Sequence, residues 1–363
     1  MQISCSISGI VDKIRPKQGI IDILNSDYNI FLDFNIFDEN DFKSQVKNFI
    51  LSCKNKIYIS KSIDTDNIDL LIENIKISSK LGCEYIIIGK KTYDTYLELA
   101  KTAKENDIII LLQNGYKNLN GHLVRNEFSN SLKLAQTIEN LNLELKEQRF
   151  GFCLDMGACS ICGQDIYEFS QPLKNYIRAV VLRDSNKIYG NSLLTFTNVY
   201  NGHSTSDWLG LIRTLRQIDF NNHLIIDLKD TASAFSVILR PQLLKFSKTI
   251  IEYIKWQLDI EKNLKTYKSI VLFGAGNMCK NYMKAYGEKY KPLFTCDNNK
   301  DLWGSKILGL EIKNPQELKN LDKDCVILIC NMYYRDIENQ IRDMQITNRI
   351  EYFNDEYLPL FYL

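Results

Sequence analysis

Asp155 and Asp227 are the residues of this chain best placed to do chemistry. Each closes a short apolar run: Phe150-Gly151-Phe152-Cys153-Leu154 before the first, Leu224-Ile225-Ile226 before the second. Gln113 follows a third run, Ile108 to Leu112, and Val181 sits inside a fourth, Ala179-Val180-Val181-Leu182. If such runs are the parallel strands of a (β/α)8 barrel, their C-terminal ends surround one active site. A divalent cation there would need several oxygen or imidazole ligands converging on a point. Gln113 is a poor ligand and Val181 is none. The pattern therefore predicts the architecture of a metal-dependent enzyme with a degenerate metal site, and no metal ligand set is assigned.

Other candidates each carry two readings. Arg183-Asp184 at a strand end is either a guanidinium clamp for a phosphate or carboxylate, or a solvated salt bridge. His203, in Asn201-Gly202-His203-Ser204, lies on a long loop and on its own reads as a solvated surface histidine. His122 and His223 lie in no strand-end motif. Cys159-Ser160-Ile161-Cys162 has metal or redox spacing, but no second pair accompanies it and no thioredoxin-like unit surrounds it. Packing and loop chemistry account for it.

A separate signal lies further along. Ile270-Val271-Leu272-Phe273-Gly274-Ala275-Gly276-Asn277-Met278-Cys279 reads as a strand, a glycine turn and a helix. Gly274 and Gly276 permit a tight turn in which a phosphate approaches the helix N-terminus at Asn277. Cys279 replaces the third glycine of the dinucleotide fingerprint. Asp297, ending the run Leu293-Phe294-Thr295-Cys296, stands where an acid would meet a ribose hydroxyl. The turn reads either as a site for NAD(P) or another nucleotide, or as part of a structural or oligomerisation module. An oxidoreductase reading is weaker, because no Tyr-x-x-x-Lys or similar catalytic partner accompanies the turn.

Positioning these residues requires alternating strands and helices. Strands are predicted at Gln2-Ile7, Ile30-Asp33, Lys56-Ile59, Tyr85-Ile88, Ile108-Leu112, Phe150-Leu154, Ile177-Leu182 and Leu224-Asp227, a set of the size that closes a barrel. Helical spacing falls at Asn67-Leu81, Tyr93-Glu105, Ser129-Leu141, Ser206-Gln217 and Leu243-Lys265. Pro16 and Asn114-Gly115 read as loop punctuation. Further strands at Cys325-Ile329 and Arg349-Phe353 would complete a smaller Rossmann-like parallel sheet. The predicted domains are 1–265 and 266–363.

With 363 residues, either part can bury a core, and the net charge of +1, with both signs interspersed, points to neither nucleic acid nor an anionic membrane as partner. The ten cysteines are scattered through apolar segments, as in a reducing compartment. No run has the length of a membrane span and the N-terminus reads as a strand, so a soluble cytoplasmic protein is expected, possible as a homo-oligomer.

The segment Phe150 to Ala158 resembles the strand ending in Asp-x-Gly-His of the xylose isomerase-like, sugar-phosphate isomerase/epimerase family. Ala179-Val180-Val181-Leu182-Arg183-Asp184 is similar to that family's His-Val-His-Leu-Lys-Asp strand. Leu111-Leu112-Gln113-Asn114 is similar to its Leu-Glu-Asn, and Leu224-Ile225-Ile226-Asp227 to its last strand ending in Glu. The resemblance spans residues 1–260. It implies a site in which two glutamates, an aspartate and a histidine hold one divalent cation while the glutamates exchange a proton beside a sugar carbonyl. Position by position, Asp155 is retained, Gln113 and Asp227 replace glutamates, Val181 replaces the histidine, and Ala158 replaces the histidine after the aspartate. A role at the mouth for His203, from its long loop, is likewise what the resemblance implies. An amide cannot accept and return a proton, so Gln113 cannot be a second base. Residues 266–355, through Asp297-Asn298-Asn299-Lys300, Gly304, Gly309 and Pro315, resemble the Rossmann-like nucleotide-binding domains attached to surface-glycan biosynthesis enzymes.

The resulting expectation is a divergent isomerase or epimerase acting on a phosphorylated or nucleotide-linked sugar. Asp155 would orient hydroxyls, Asp227 would be the remaining base, and Arg183 would hold an anion. The alternative is a catalytically inactive barrel carrying a nucleotide-sensing domain.

Overall fold

The structure, a computed structural model, describes residues 1–11, 16–36, 47–200, 203–204 and 206–353. It divides into two compact units, Met1–Lys255 and Trp256–Leu363, and the division falls within the helix Arg240–Thr266.

The first unit is built on eight parallel strands: β1 (Gln2–Ser6), β2 (Asn29–Asp33), β3 (Ile57–Lys61), β4 (Tyr85–Ile87), β5 (Ile109–Gln113), β6 (Phe150–Asp155), β7 (Ile177–Leu182) and β8 (His223–Ile226). They close into a barrel in the order β1-β8-β7-β6-β5-β4-β3-β2. Runs apolar at successive residues make these strands because both of their faces are covered. One face fills the barrel interior with Phe31, Ile59, Tyr85, Ile87, Leu111, Cys153, Ala179, Val181 and Ile225. The other face packs on helices such as Tyr93–Glu105, which Thr92 caps by accepting from the Thr95 N–H and which buries Tyr96, Leu99, Ala100 and Ala103.

Pro16, read as loop punctuation, instead opens the helix Pro16–Asn25, where its fixed φ and missing N–H suit the first turn. After β5 the chain adds an antiparallel hairpin, Tyr116–Leu119 with His122–Arg125. Among the described residues, no helix is long and apolar enough to cross a membrane.

In the second unit, β9 (Ser269–Phe273), β10 (Thr295–Cys296), β11 (Lys306–Ile307), β12 (Leu310–Lys313), β13 (Cys325–Ile329) and β14 (Ile350–Tyr352) form a sheet of order β11-β12-β10-β9-β13-β14. It is a mixed sheet rather than the parallel one anticipated. Leu308 and Gly309, both with positive φ, make a two-residue turn that folds β11 back antiparallel on β12. The strand foreseen at Leu293-Cys296 shortens to Thr295–Cys296, with Leu293 exposed. Cys279, Tyr282, Ile270, Leu272 and Phe353 lie in one core layer of this unit.

Candidate functional site

Side chains alternate along a strand, so residues two apart share a face. The interior residues Phe31, Ile59, Leu111, Cys153, Val181 and Ile225 therefore place Asp33, Lys61, Gln113, Asp155, Arg183 and Asp227 on the same face, one step nearer the mouth. All of these line a single cavity of about 220 Å³, together with Ser6, Ser8, Tyr116, Val181, Gly190, Ser192 and Lys229. The four strand-end residues singled out from sequence thus share one cavity. Val181 belongs to the apolar layer beneath it, and the mouth position of β7 falls to Arg183.

Arg183 and Asp155 face each other at the centre. The Arg183 Nε donates to Asp155 Oδ1 at 2.9 Å and Nη2 donates to Oδ2 at 3.0 Å, a bidentate pair. Both residues are buried, at 5% and 8% exposure. Each Asp155 oxygen accepts a second bond: Oδ1 from the Ala158 N–H at 3.1 Å, and Oδ2 from Gln113 Nε2 at 3.4 Å. The first of these caps the helix Met156–Ile161. Asn114 fixes the backbone of Asp155, taking its N–H at 2.7 Å and donating to its carbonyl at 2.9 Å. Burial works against the charge on Arg183, but Asp155 outweighs it and raises the guanidinium above its ordinary value. The solvated Arg183–Asp184 pair is therefore overturned. Asp184 points to the opposite face, is fully buried, and accepts from the Asn198 N–H at 3.0 Å.

Gly157 explains how a guanidinium fits there. A Cβ at this position would lie 2.7 Å from Arg183 Nε and 2.8 Å from Cζ, so only glycine leaves room for the side chain. The remaining Arg183 donors hold the loop after β7: Nη1 reaches the carbonyls of Asn191 at 3.0 Å and Gly190 at 3.3 Å.

Asp227 differs from Asp155. Oδ2 accepts from Ser192 Oγ at 2.8 Å and Oδ1 from the Lys229 N–H at 3.1 Å. Burial pushes its carboxyl above the ordinary range, while Arg183, Ser192 and the Lys229 N–H pull it part of the way back. Asp33 accepts from Asn35 Nδ2 at 2.8 Å and Ser8 Oγ at 3.4 Å. Lys61 and Lys229 line the cavity without an ion pair among the described residues.

These residues do not fit a divalent cation. Both oxygens of Asp155 are engaged by a cationic side chain and by N–H groups, Gln113 turns its amide N–H toward the carboxylate, and Val181 offers nothing. Among the described residues no group of three or more His, Cys, Asp and Glu side chains could hold a metal ion. What the arrangement can do is bind a small polar ligand between lysines and carboxylates, with Asp227 able to exchange a proton.

Sequence reasoning missed Ser6, Ser8, Asp33, Lys61, Ser192 and Lys229. Asp33 and Lys61 could have been found by extending the strand alternation to the last residue of β2 and β3. His203 pairs through its backbone with Tyr200 in a short antiparallel ladder, while its side chain and Asn201-Gly202 lie outside the described residues. His122 is exposed on the hairpin, and His223 is buried at the start of β8, away from the mouth. Cys159 is buried with its thiol pushed up by burial, and Asn114 Nδ2 donates to its sulfur at 3.2 Å, as a packing role requires.

In the second unit, Gly274 adopts φ +116°, and a Cβ there would meet the Cys330 carbonyl at 2.6 Å. Gly276 precedes the helix Asn277–Ala285 and faces open space. The Asp297 carboxylate closes onto the turn, accepting from the Ala275 N–H at 2.8 Å and the Asn299 N–H at 2.9 Å.

The sequence family described as C2185-like, N-terminal, matches residues 265–350. Comparison with the curated proteins gave no match. The fold is similar to that of a D-tagatose 3-epimerase-like protein, at 13% identity and a TM-score of 0.54, over 72% of this chain and 99% of that one. It is similar to the IOLI protein with a binding zinc atom, at 13% identity and 0.52, over 69% and 98%. It is similar also to L-ribulose 3-epimerase, at 10% identity and 0.51, over 74% and 98%. Two of these three neighbours are thus described as sugar epimerases or epimerase-like, and at these identities the likeness establishes the fold alone.

Proposed function

We propose that the barrel catalyses a metal-independent isomerisation of a small phosphorylated sugar, with Asp227 as its single base. The observation that carries this reading is Asp227 itself: a cavity carboxyl raised by burial and held by Ser192 and a backbone N–H rather than neutralised by a contacting cation. A base with a raised pKa is better matched to proton abstraction near neutral pH. Asp227 would take the proton from the carbon beside the carbonyl, and the electron pair would form an enediolate. The hydroxyl proton would pass to the former carbonyl oxygen, and Asp227 would deliver a proton, exchangeable with solvent while it is on the carboxyl, to the neighbouring carbon. Inversion at one carbon needs a second base on the other face, and Gln113 cannot supply it.

Lys61 and Lys229 suit the enediolate oxygen and a phosphate, and the epimerases among the structural neighbours support a sugar as substrate. At about 220 Å³ the cavity is smaller than the usual small-molecule pocket, which favours a sugar phosphate over a nucleotide-linked sugar.

The test is proton exchange by NMR, with phosphorylated aldoses and ketoses in D2O and the full-length protein. Exchange should survive chelator and fall by about 10²-fold or more in Asp227→Asn. Exchange that requires Mn²⁺, or that persists in Asp227→Asn, rejects the reading. Binding without exchange supports the competing one, an inactive barrel, which the engagement of both Asp155 oxygens by Arg183 and N–H groups favours.

For the second unit we propose a Rossmann-like, nucleotide-binding role at Gly274–Asn277, with Asp297 opening from the turn to meet a ribose. Calorimetry with NAD(H), NADP(H) and UDP-sugars tests it. Gly276→Val fills open space in the turn, so binding should be lost with the fold intact; heat unchanged by this variant counts against the site.

A further inference from the structure

Asp155 and Asp227 face one cavity, where the charge of Asp155 opposes ionisation of Asp227 and a cation beside them offsets it. The chain supplies that cation from β7. The Arg183 guanidinium forks onto Asp155, is bonded by Nη1 to the loop carbonyls of Gly190 and Asn191, and lies in a recess that exists because residue 157 has no side chain. We infer that Arg183 is a tethered cation that excludes divalent metal ions from this barrel and takes over their electrostatic task. A guanidinium has five N–H groups. Nε–H, one on Nη2 and the two on Nη1 account for the bonds described, so the second Nη2 proton has no acceptor among the described residues. That proton is the donor available to a ligand oxygen. The inference concerns the ion balance of the cavity and does not rest on any sugar being the substrate.

The experiment is a Mn²⁺ titration of the full-length protein, read by electron paramagnetic resonance without any organic ligand. The wild type should leave Mn²⁺ free at millimolar concentration. Arg183→Gln and Arg183→Met uncover Asp155 beside Asp227, and each should bind Mn²⁺ about tenfold more tightly or better. Adding Asp155→Asn to either should remove the gain. Saturable Mn²⁺ binding by the wild type that Asp155→Asn abolishes would overturn the inference. So would folded Arg183 variants that bind no more tightly than the wild type. If Arg183→Gln does not fold, Arg183→Met, which fills the recess without adding an oxygen or imidazole ligand, decides the matter. Because no sugar is present, this outcome is independent of whether the barrel turns one over.

Discussion

The barrel mouth and the glycine turn each present an acid at a strand end, and the two acids are answered differently. Asp155 is answered by a side chain from another strand, Arg183, through a buried bidentate pair. Asp297 is answered by its own neighbourhood, the N–H groups of Ala275 and Asn299. The mouth keeps a further carboxyl, Asp227, and two lysines without ion pairs among the described residues. In the function proposed above, a pocket that answers one acid with a dedicated cation and leaves another adjustable serves chemistry, whereas a carboxylate that closes its own turn first serves the fold.

The largest test of that contrast removes Arg183. Arg183→Ala leaves a buried carboxylate unpaired and should cost about 3–5 kcal/mol in urea unfolding. The joint replacement Arg183→Met with Asp155→Leu should recover most of it, and a double variant no more stable than Arg183→Ala would deny the pairing its weight. Next come the two glycines. Gly274→Ala pushes a Cβ onto a backbone carbonyl at positive φ and should destabilise the second unit by about 1–3 kcal/mol. Gly157→Ala meets the buried Arg183 side chain and should cost a similar or smaller amount, about 1–3 kcal/mol, with looser hold on the loop after β7.

Asp297→Ala removes two backbone contacts and should cost about 1 kcal/mol. The smallest effect is at Asp227. Its folded pKa is raised, so the stability it contributes is complete below the unfolded value near 3.9 and declines as pH rises through the folded value. Asp227→Asn should therefore be more stable than wild type at neutral pH, with the gain vanishing in acid. Equal Tm differences at both pH values would contradict the raised carboxyl.

The barrel was legible because its strands are apolar at successive residues and end at polar ones. The run Ile177-Leu182 was read with its observed limits, and the helix Tyr93–Glu105 likewise. The hairpin after β5 was missed although Asn120-Gly121 is a strong turn signal, with positive φ at both residues. At the site, alternation put Asp155, Asp227 and Gln113 on one face, as it does Arg183, but motif matching drew the eye to Val181. The Arg183–Asp155 pair spans separate strands and rests on a glycine two residues past the acid, so it needed the barrel's closure to be seen. Ser192 and Gly190 enter from a loop with no periodicity to read. In the second unit, Leu308-Gly309 gave too weak a hairpin signal to reveal the antiparallel edge.

The mutual dependence of Arg183 and Asp155 also shapes how this sequence can diverge. Losing either partner strands the other's charge away from water, so a lineage altering one must accept a weakened intermediate before the second change restores balance. A histidine-and-glutamate cage in this cavity would require that detour together with new residues at positions 113 and 181. Such a pocket is held by a ratchet of interlocked substitutions, which can preserve it even where selection on any one reaction is slight.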